Sequence, residues 1–358
     1  MLEDALNILR KIDERGYESY IVGGYVRDRL LGIDSKDFDI CTSAEINDIK
    51  DLFDNALIDE RFGSLKVYIN DNKYEITSFR KDIEYLDNRR PSKIEHVISL
   101  SDDLLRRDFT INTICMDKNE NIIDLMDGKK DLEDKIIRTV GSVDKKLEED
   151  SLRILRAIRF ATTLNFKIDD DLSTGIIKYS KNLSSLSFER RKYELEKIFE
   201  SPNYLYGIKL LNEHGLLEYL GIEIESIIKT DLIGMWAQIK YDDRYPISKK
   251  DKKTIDEIRE IINYKKIDNI TVYYYSKKSN YIASDILKID RKTVDNLIDS
   301  LQIKSRSDIV LSISDISIIL NKKIEEIKDL YNSIEKKIVL NELNNDKDEI
   351  INYIKRGE

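Results

Sequence analysis

Apolar residues follow two different spacings along this chain, and the change lies near residue 145. Before it, short β-branched and aromatic runs alternate with helical segments, which is typical of a sheet covered by helices. After it, apolar residues recur mostly at helical spacing, which predicts helices almost throughout. A first helix is predicted over residues 1–18. Strands are predicted at Tyr20–Val22, Phe38–Ile40, Ser64–Ile69, Lys73–Phe79 and Ile122–Asp124.

Two segments do not fit this division. Thr271–Tyr275 is β-branched and aromatic, so it fits either a strand or a buried helical turn. Residues 80–91 are charged, aromatic and turn-rich without a regular period. That composition predicts a mobile loop of a size that is usually functional or disordered.

The segment 20–32 combines a strand end, a glycine turn and a short helix. Val22 ends the predicted strand, Gly23-Gly24 forms the turn, and Gly32 stops the helix. A strand, a turn and a helix N-terminus together present backbone N–H groups that suit a phosphate.

Asp37 and Asp39 follow this turn. Because they are two residues apart on a predicted strand, both carboxylates are expected on one face and Phe38 on the other. Two carboxylates close to a phosphate-binding turn suit Mg²⁺-dependent chemistry on a nucleoside triphosphate. Either feature alone is usually a plain turn or a solvated strand edge, but their succession favours the catalytic interpretation.

Composition narrows the class of protein. With 358 residues, 36% of them charged and 41% hydrophobic, the chain is expected to be globular with more than one core. The net charge of −9 argues only weakly against a nucleic-acid partner, since binding depends on where basic residues cluster. Two histidines exclude a histidine-rich metal centre. Two isolated cysteines, with no signal or membrane segment, predict a cytoplasmic protein.

Arginines and acidic residues form further clusters. Arg106-Arg107-Asp108 could be an ordinary charge patch at a helix entry. On a later predicted helix, arginines recur every third residue opposite an apolar stripe, with Asp150 one turn before Arg153. That pair could be a surface ion pair, or its acceptors and donors could hydrogen-bond the edge of a base. The charged helix over 187–199 is more typical of a structural element.

Taken in this order and spacing, the clusters resemble the class II tRNA nucleotidyltransferase and bacterial poly(A) polymerase family. The resemblance is continuous from residue 18 to about 220 and thins beyond it to a helical body and tail. The residues that carry it are Gly23–Asp28, Asp37–Asp39, Arg106–Asn112, Asp127-Gly128 with Asp131-Leu132, Glu149–Arg156, and Ser187 to Glu196.

The resemblance implies an α+β head with a DNA-polymerase-beta-like nucleotidyltransferase sheet and helices, followed by an all-α neck, body and tail. The expected boundaries are 1–140 for the catalytic head, 141–200 for a base-recognising neck, 201–285 for the body and 286–358 for a tRNA-binding tail. It implies addition of C, C and A to the 3′ end of tRNA from CTP and ATP, with release of pyrophosphate. The implied cofactor is Mg²⁺, and neither a membrane nor a protein partner is expected.

The resemblance also implies roles for individual residues. Asp37 and Asp39 would hold Mg²⁺, and Glu75 would be the third catalytic carboxylate, with Asp108 as its rival. Asp150 and Arg153 would recognise the incoming base. The segment 80–91 would be a flexible loop that is needed for addition of the last A. The implied nucleotide-binding residues are Gly23, Gly24, Arg27, Asp28, Arg107, Asp150, Arg153, Arg156 and Arg159.

Several alternatives stay open. Poly(A) polymerases of the family usually carry an arginine-rich strand soon after the two aspartates, which Ser64–Ile69 does not show. A split-function enzyme would add only CC or only A, and the segment 80–91 argues against the second. A catalytically inactive RNA-binding module is disfavoured by the presence of Asp37, Asp39 and Arg107. A small-molecule nucleotidyltransferase would not need the long helical extension.

Overall fold

The amino-terminal strands pair into one mixed sheet in a computed structural model, which describes residues 1–54, 56–59, 63–86 and 90–356. The strands of this region are β1 (Ser19–Val22), β2 (Phe38–Thr42), β3 (Ala56–Asp59), β4 (Ser64–Ile69), β5 (Asn72–Ser78), β6 (Arg80–Leu86), β7 (Arg90–His96), β8 (Cys115–Met116) and β9 (Ile122–Ile123). Among the described residues the sheet has the order β3-β4-β5-β2-β1-β8-β9, and its neighbours are antiparallel except for β2 and β5. The predicted strands are confirmed, with small shifts at their ends.

One face of the sheet is buried, and the other face is partly exposed to solvent. On β4, Leu65 and Val67 are buried while Tyr68 is exposed, as the alternation predicts. Cys41 and Cys115 are both free thiols and lie fully buried in an apolar cluster with Phe79. These contacts join β1, β2 and β8 into the floor on which the candidate site is built.

The predicted loop over 80–91 is wrong in its main part. β6 and β7 pair antiparallel as a separate two-stranded hairpin, with Arg80 opposite His96 and Lys81 opposite Glu95. Such a ribbon is held by its backbone hydrogen bonds, which need no alternating apolar pattern. The predicted mobility at residues 87–89 concerns positions outside the described residues.

Helices cover the sheet and continue beyond it. In the first unit they are α1 (Leu2–Glu14), α2 (Gly24–Leu30), α3 (Ile46–Ile49), α4 (Leu100–Leu105), α5 (Gly128–Asp134), α6 (Val143–Glu149), α7 (Leu152–Leu164), α8 (Asp170–Tyr179), α9 (Phe188–Glu200), α10 (Tyr204–Glu213) and α11 (Leu217–Leu220). The predicted first helix ends earlier than residue 18 because Gly16 takes a left-handed φ of 84°. Strands β10 (Ile136–Ile137) and β11 (Lys167–Ile168) pair in parallel between the helices.

The second unit is nearly all helical, as the spacing predicts. Its helices are α12 (Leu232–Ala237), α13 (Lys249–Tyr264), α14 (Asn269–Tyr274), α15 (Lys277–Leu287), α16 (Arg291–Ser300), α17 (Ile313–Leu320), α18 (Ile324–Val339) and α19 (Lys347–Arg356). Strands β12 (Ile222–Glu223) and β13 (Lys240–Tyr241) form one short pair. The ambiguous segment 271–275 is helical: Asp268 caps α14 and accepts hydrogen bonds from the backbone of Ile270 and Thr271.

The chain divides into two units, Met1–Gly221 and Ile222–Glu358. The finer boundaries expected for head, neck, body and tail remain predictions. No helix in the part of the chain that the structure describes is long and apolar enough to span a membrane.

Candidate active site

The glycine turn lies where β1 meets α2. Gly23 has a φ of 82°, a conformation that side chains other than glycine rarely adopt, and its N–H donates to the Ile114 carbonyl at 3.2 Å. A Cβ atom at Gly23 would stand 3.7 Å from Nη1 of Arg107. The turn therefore brings Gly23 close to the Arg107 guanidinium, while a Cβ atom at Gly24 would stand 3.9 Å from Nη2 of Arg27.

The carboxylates lie on one face of the neighbouring strands. Asp39 on β2 is in register with Glu75 on β5, which is in register with Lys66 on β4. Residues in register on adjacent strands point to the same face, about 5 Å apart. Phe38 points to the opposite face and stacks on Tyr25 with ring centroids 4.0 Å apart. The predicted opposition of Phe38 and Asp39 is confirmed, whereas Asp37, which was predicted on the same strand, lies just before it.

Asp37 precedes β2 and is exposed, and its charge acts on Asp39. Partial desolvation by the surrounding protein, followed by the nearby negative charge of Asp37, raises the pKa of Asp39 to about 6, although this residue still reaches solvent. Glu75 acts in the same direction. Carboxylates that repel one another in this way are a donor set that a hard divalent cation would stabilise.

A cation would still have to draw these groups together. Among the described residues, no three His, Cys, Asp or Glu side chains converge as a ready metal cluster. Glu75 forms an ion pair with Lys73 at 3.1 Å. The structure thus places Asp39 beside Glu75, with Asp37 just before β2, without preforming a three-ligand site.

A cleft of about 440 Å³ opens over this face of the sheet. Asp39 and Glu75 line one side of it, and Lys66, Arg106 and Arg107 also line it. Carboxylates and cations thus face the same space, which suits a substrate that brings both a metal and phosphates. The described lining contains no large apolar wall, so recognition here is mainly electrostatic.

One buried carboxylate positions both arginines of the cleft. Asp103 is fully buried, and it accepts from Arg106 at 2.8 and 2.9 Å and from Arg107 at 3.2 and 3.4 Å. Its Oδ1 also accepts from the backbone N–H of Arg80, at the start of the hairpin strand β6. Burial alone would raise the pKa of Asp103, but the two guanidinium groups outweigh it and hold the pKa below its usual value.

Because Asp103 contacts Nε and Nη2 of Arg107, it leaves Nη1 directed towards the turn at Gly23. We expect Asp103→Asn to raise the KM for a nucleoside triphosphate about tenfold whatever its base, since a charge-assisted contact contributes about 1.5–3 kcal/mol. Steady-state kinetics with nucleoside triphosphates of different bases measure this effect. Asp102→Asn, an exposed aspartate on the same helix, is the matched control. A drop in kcat at unchanged KM would contradict the positioning role.

A second network links the turn to Arg156 of α7. Arg27 contacts Asp28 at 2.6 and 2.8 Å and donates to Oδ1 of Asn112 at 2.7 Å. Asn112 donates to Asp108 at 3.1 Å, and Asp108 accepts from Arg156 at 2.6 and 2.7 Å. Burial opposes the charged form of Asp108, but Arg156 and Asn112 lower its pKa to about 2. Asp108 is therefore an engaged carboxylate, whereas Glu75 is the one that lies beside Asp39.

Three predicted phosphate-binding arginines share one aromatic ring. The guanidinium carbons of Arg27, Arg156 and Arg159 lie 5.1, 5.3 and 3.9 Å from the ring centroid of Phe160. Arg159 also pairs with the buried Glu194 of α9 at 2.6 Å. The structure thus gathers these three cations around one ring. Because Arg159 is already paired with Glu194, it is less available to bind a phosphate than an unpaired arginine would be.

Asp150 and Arg153 are not each other's side-chain partners. Arg153 is buried, and its Nη1 donates to Glu149 and to the Lys146 carbonyl, both at 2.8 Å. Its Nη2 donates to the Arg106 carbonyl at 3.3 Å. The alternative of a surface ion pair between Asp150 and Arg153 is therefore wrong, because α7 packs its Arg153 side inward.

The neighbour of Asp150 is Arg190, a residue that the sequence reasoning assigned to a structural helix. Nη2 of Arg190 lies 3.4 Å from Oδ2 of Asp150, and Oδ1 of Asp150 accepts from the Leu152 N–H. Nη1 of Arg190 is buried with no hydrogen-bond partner among the described residues. Burial raises the pKa of Asp150 against the lowering effect of Arg190.

Sequence reasoning missed four residues of this region: Asp103, Asn112, Phe160 and Arg190. Asp103 could have been found, since it precedes Arg106 and Arg107 by three and four residues at helical spacing. Asn112 and Arg190 stand within the quoted clusters Arg106–Asn112 and Ser187 to Glu196 without an assigned role, and Phe160 lies just beyond the cluster Glu149–Arg156. The contact of Arg190 could not be predicted locally, because its partner lies 40 positions earlier in the chain.

Comparison with family models gives two matches. Residues 19–138 match the model described as "Poly A polymerase head domain". Residues 165–227 match the model described as "Probable RNA and SrmB- binding site of polymerase A". The two matched segments contain the carboxylate strands and helix α9.

Comparison with individual proteins extends the similarity to the full length. A CCA-adding enzyme of Staphylococcus aureus (strain MRSA252) is 32% identical over 390 aligned positions, which cover 99% of this chain and 98% of the relative. The crystal structure of the Bacillus stearothermophilus CCA-adding enzyme in complex with CTP superposes with a TM-score of 0.81 at 25% identity, covering 99% and 97% of the two chains. A Thermotoga maritima CCA-adding enzyme complexed with tRNA shares the fold, with a TM-score of 0.67 at 20% identity over 98% and 94% of the chains.

Proposed function

Because this chain belongs to the family of tRNA nucleotidyltransferases and bacterial poly(A) polymerases, it is a nucleotidyltransferase, and we propose that it adds C, C and A to the 3′ end of tRNA from CTP and ATP. One observation carries the proposal. Asp39 and Glu75 lie side by side in a cleft that Arg106 and Arg107 also line. Similarity to a CCA-adding enzyme over 99% of the chain supports the choice of substrates.

Asp37 and Asp39 are the residues that would hold Mg²⁺, with Glu75 beside them as the third catalytic carboxylate. Desolvation, followed by the negative charge of Asp37, raises the pKa of Asp39, and a bound cation would offset both effects by stabilising the charged carboxylate. Two such ions, when bound, would supply Lewis-acid stabilisation for attack of the RNA 3′-hydroxyl on the α-phosphorus and for departure of pyrophosphate.

The remaining residues orient the nucleotide. The Gly23–Gly24 backbone and Arg107 would bind the triphosphate from one end, while Arg27 and Arg156 supply positive charge from the network around Asp108. Holding the α-phosphorus in line with the attacking hydroxyl contributes through orientation, which needs fixed rather than mobile side chains. The buried contacts of Asp103 and Asn112 provide that fixation.

Base choice would rest on Asp150 and Arg153. Cytosine and adenine both present an amino donor next to a ring-nitrogen acceptor, so one acceptor and one donor on the protein can serve both in turn. Guanine and uracil present the opposite pattern and leave buried groups unpaired, at a cost of about 1–3 kcal/mol per group. The free buried thiols of Cys41 and Cys115 fit a reducing, cytoplasmic setting for this reaction.

The direct test is incubation with a tRNA that lacks its 3′ CCA and with each labelled nucleoside triphosphate separately and together. We expect addition of C, then C, then A, with no extension by UTP or GTP. A product that stops at CC would favour the split-function enzyme. A run of A residues would favour poly(A) polymerase, against which stands the absence of arginine from β4.

The hairpin β6–β7 offers a separate prediction for the last step. Its root is tied to Asp103 through the Arg80 backbone, so it is mechanically connected to the triphosphate arginines. We expect deletion of residues 82–89 to leave addition of both C residues close to normal and to block addition of A, because the hairpin acts as the gate for the adenine arrangement. CC addition by the same variant is the internal control. If the deletion variant completed CCA at the wild-type rate, the proposed role of the hairpin in adding A would be contradicted.

A further inference from the structure

A second cavity adjoins the catalytic cleft. It has a volume of about 330 Å³ and lies between the end of α4 and helix α6, and Arg106 lines both spaces. We call it the Lys146 cavity. Its charged lining residues are Lys81, Asp102, Arg106, Lys145, Lys146 and Glu149.

The lining of the Lys146 cavity is positive in a chain that is negative overall. Its four cations face two carboxylates, whereas the whole chain carries a net charge of −9. One of the carboxylates, Glu149, is already engaged by Arg153 at 2.8 Å and by Lys145 at 3.9 Å, and one of the cations, Arg106, is paired with the buried Asp103 at 2.8 Å. A local excess of cations against the sign of the whole protein concentrates anions at that place.

Lys146 is the residue that makes this cavity a candidate anion-binding site. It is 5% exposed, and its ammonium donates to the Leu105 carbonyl at 2.6 Å without an ion pair to any of the described carboxylates. Burial, reinforced by the nearby charge of Arg153, lowers the pKa of Lys146 to about 8. The negative charges of Glu149 and Asp108 act on Lys146 in the opposite direction, but neither forms an ion pair with it among the described residues, so an anion in the cavity would further stabilise this buried cation.

We propose that the Lys146 cavity binds a backbone phosphate of the RNA strand whose 3′ end enters the catalytic cleft. The inference rests on the proposed function in taking RNA as the substrate. The incoming nucleotide already has Arg107 and the glycine turn for its phosphates, so a further anion site on the other side of Arg106 is left for the second substrate. A volume at the small end of ligand pockets suits one phosphodiester with its sugars.

The test compares RNA binding with nucleotide use in the full-length chain. For Lys146→Met we expect the affinity for tRNA lacking CCA to fall about fivefold to tenfold at 0.1 M salt. The slope of log K against log salt should become shallower by about 1, as the loss of one phosphate contact requires. The KM for CTP should stay within about twofold. Lys130→Gln, an exposed lysine that lines neither space, is the charge-matched control and should change neither quantity.

Two outcomes would overturn the proposal. One is an unchanged salt slope in Lys146→Met, and the other is a rise in the KM for CTP as large as the loss of RNA affinity, which would assign the cavity to the nucleotide. Should Lys146→Met fail to fold, the exposed variants Lys145→Gln and Lys81→Gln replace it, with the same shift of slope expected in each and an unchanged slope in both counting against the site. Binding is measured without turnover. If wild type binds tRNA but adds no nucleotide, only the proposed function fails.

Discussion

Replacing Asp39 with alanine should lower the rate of nucleotide addition at least about 100-fold, because the metal it would help to hold contributes several kcal/mol to the transition state. Asp37→Ala should behave alike. Both variants should bind tRNA as well as wild type, since removal of a carboxylate from the cleft takes away negative charge that would repel RNA. Filter binding and single-turnover addition of labelled CTP measure the two quantities separately.

Asp34→Ala is the matched control, an exposed aspartate just upstream of the pair. It should retain wild-type addition, which would show that the effect belongs to the two carboxylates and not to net charge in this segment. Residual addition of a tenth or more in both Asp37→Ala and Asp39→Ala would contradict the metal assignment. Glu75→Gln tests the third carboxylate in the same assay, and Asp108→Asn tests its rival.

Asp150→Ala should relax base choice more than it slows catalysis. If its carboxylate accepts from the amino group of cytosine or adenine, the preference for CTP over UTP should fall about 10-fold to 100-fold, which corresponds to one unpaired buried group. The measurement is kcat/KM for each nucleotide with tRNA lacking CCA. A uniform loss with unchanged selectivity would return Asp150 to a structural role.

Substitutions of the two arginines near Asp150, Arg190 and Arg153, should have different effects in the same assay. Arg190→Gln removes the guanidinium that lies against Asp150, so it should also alter selectivity while leaving the fold stable. Arg153→Ala should combine relaxed selectivity with a lower melting temperature, because Glu149 and two backbone carbonyls lose their partner in a buried place. Selectivity that changes in neither variant would leave base choice to Asp150 alone.

Local pattern predicted the sheet and the turn well. β4 was bounded correctly, and the alternation of Phe38 with Asp39 and the stop at Gly32 follow from two-residue spacing and from the freedom of glycine. These features depend on near neighbours in the chain, which the sequence displays directly. The helical alternative for the segment 271–275 could also have been chosen from the capping residue Asp268.

The remaining features depend on distant partners. Helical spacing puts Arg153 opposite the apolar stripe of α7, but it cannot say that the α4 end and α6 cover that side as well. The hairpin strands carry no apolar period because their pairing satisfies the backbone alone. The contact between Asp150, which lies between α6 and α7, and Arg190 of α9 cannot be predicted from the pattern of either segment alone.

The ring of Phe160 has a consequence for how this region can change over generations. Because Arg27, Arg156 and Arg159 lie around one aromatic face, the effect of substituting any of them depends on which of the other two is present. Single replacements measured one at a time will therefore not sum to the effect of the triple replacement. A substitution at one of these positions restricts which residues are acceptable at the other two. The three positions are therefore expected to change together in evolution and not independently.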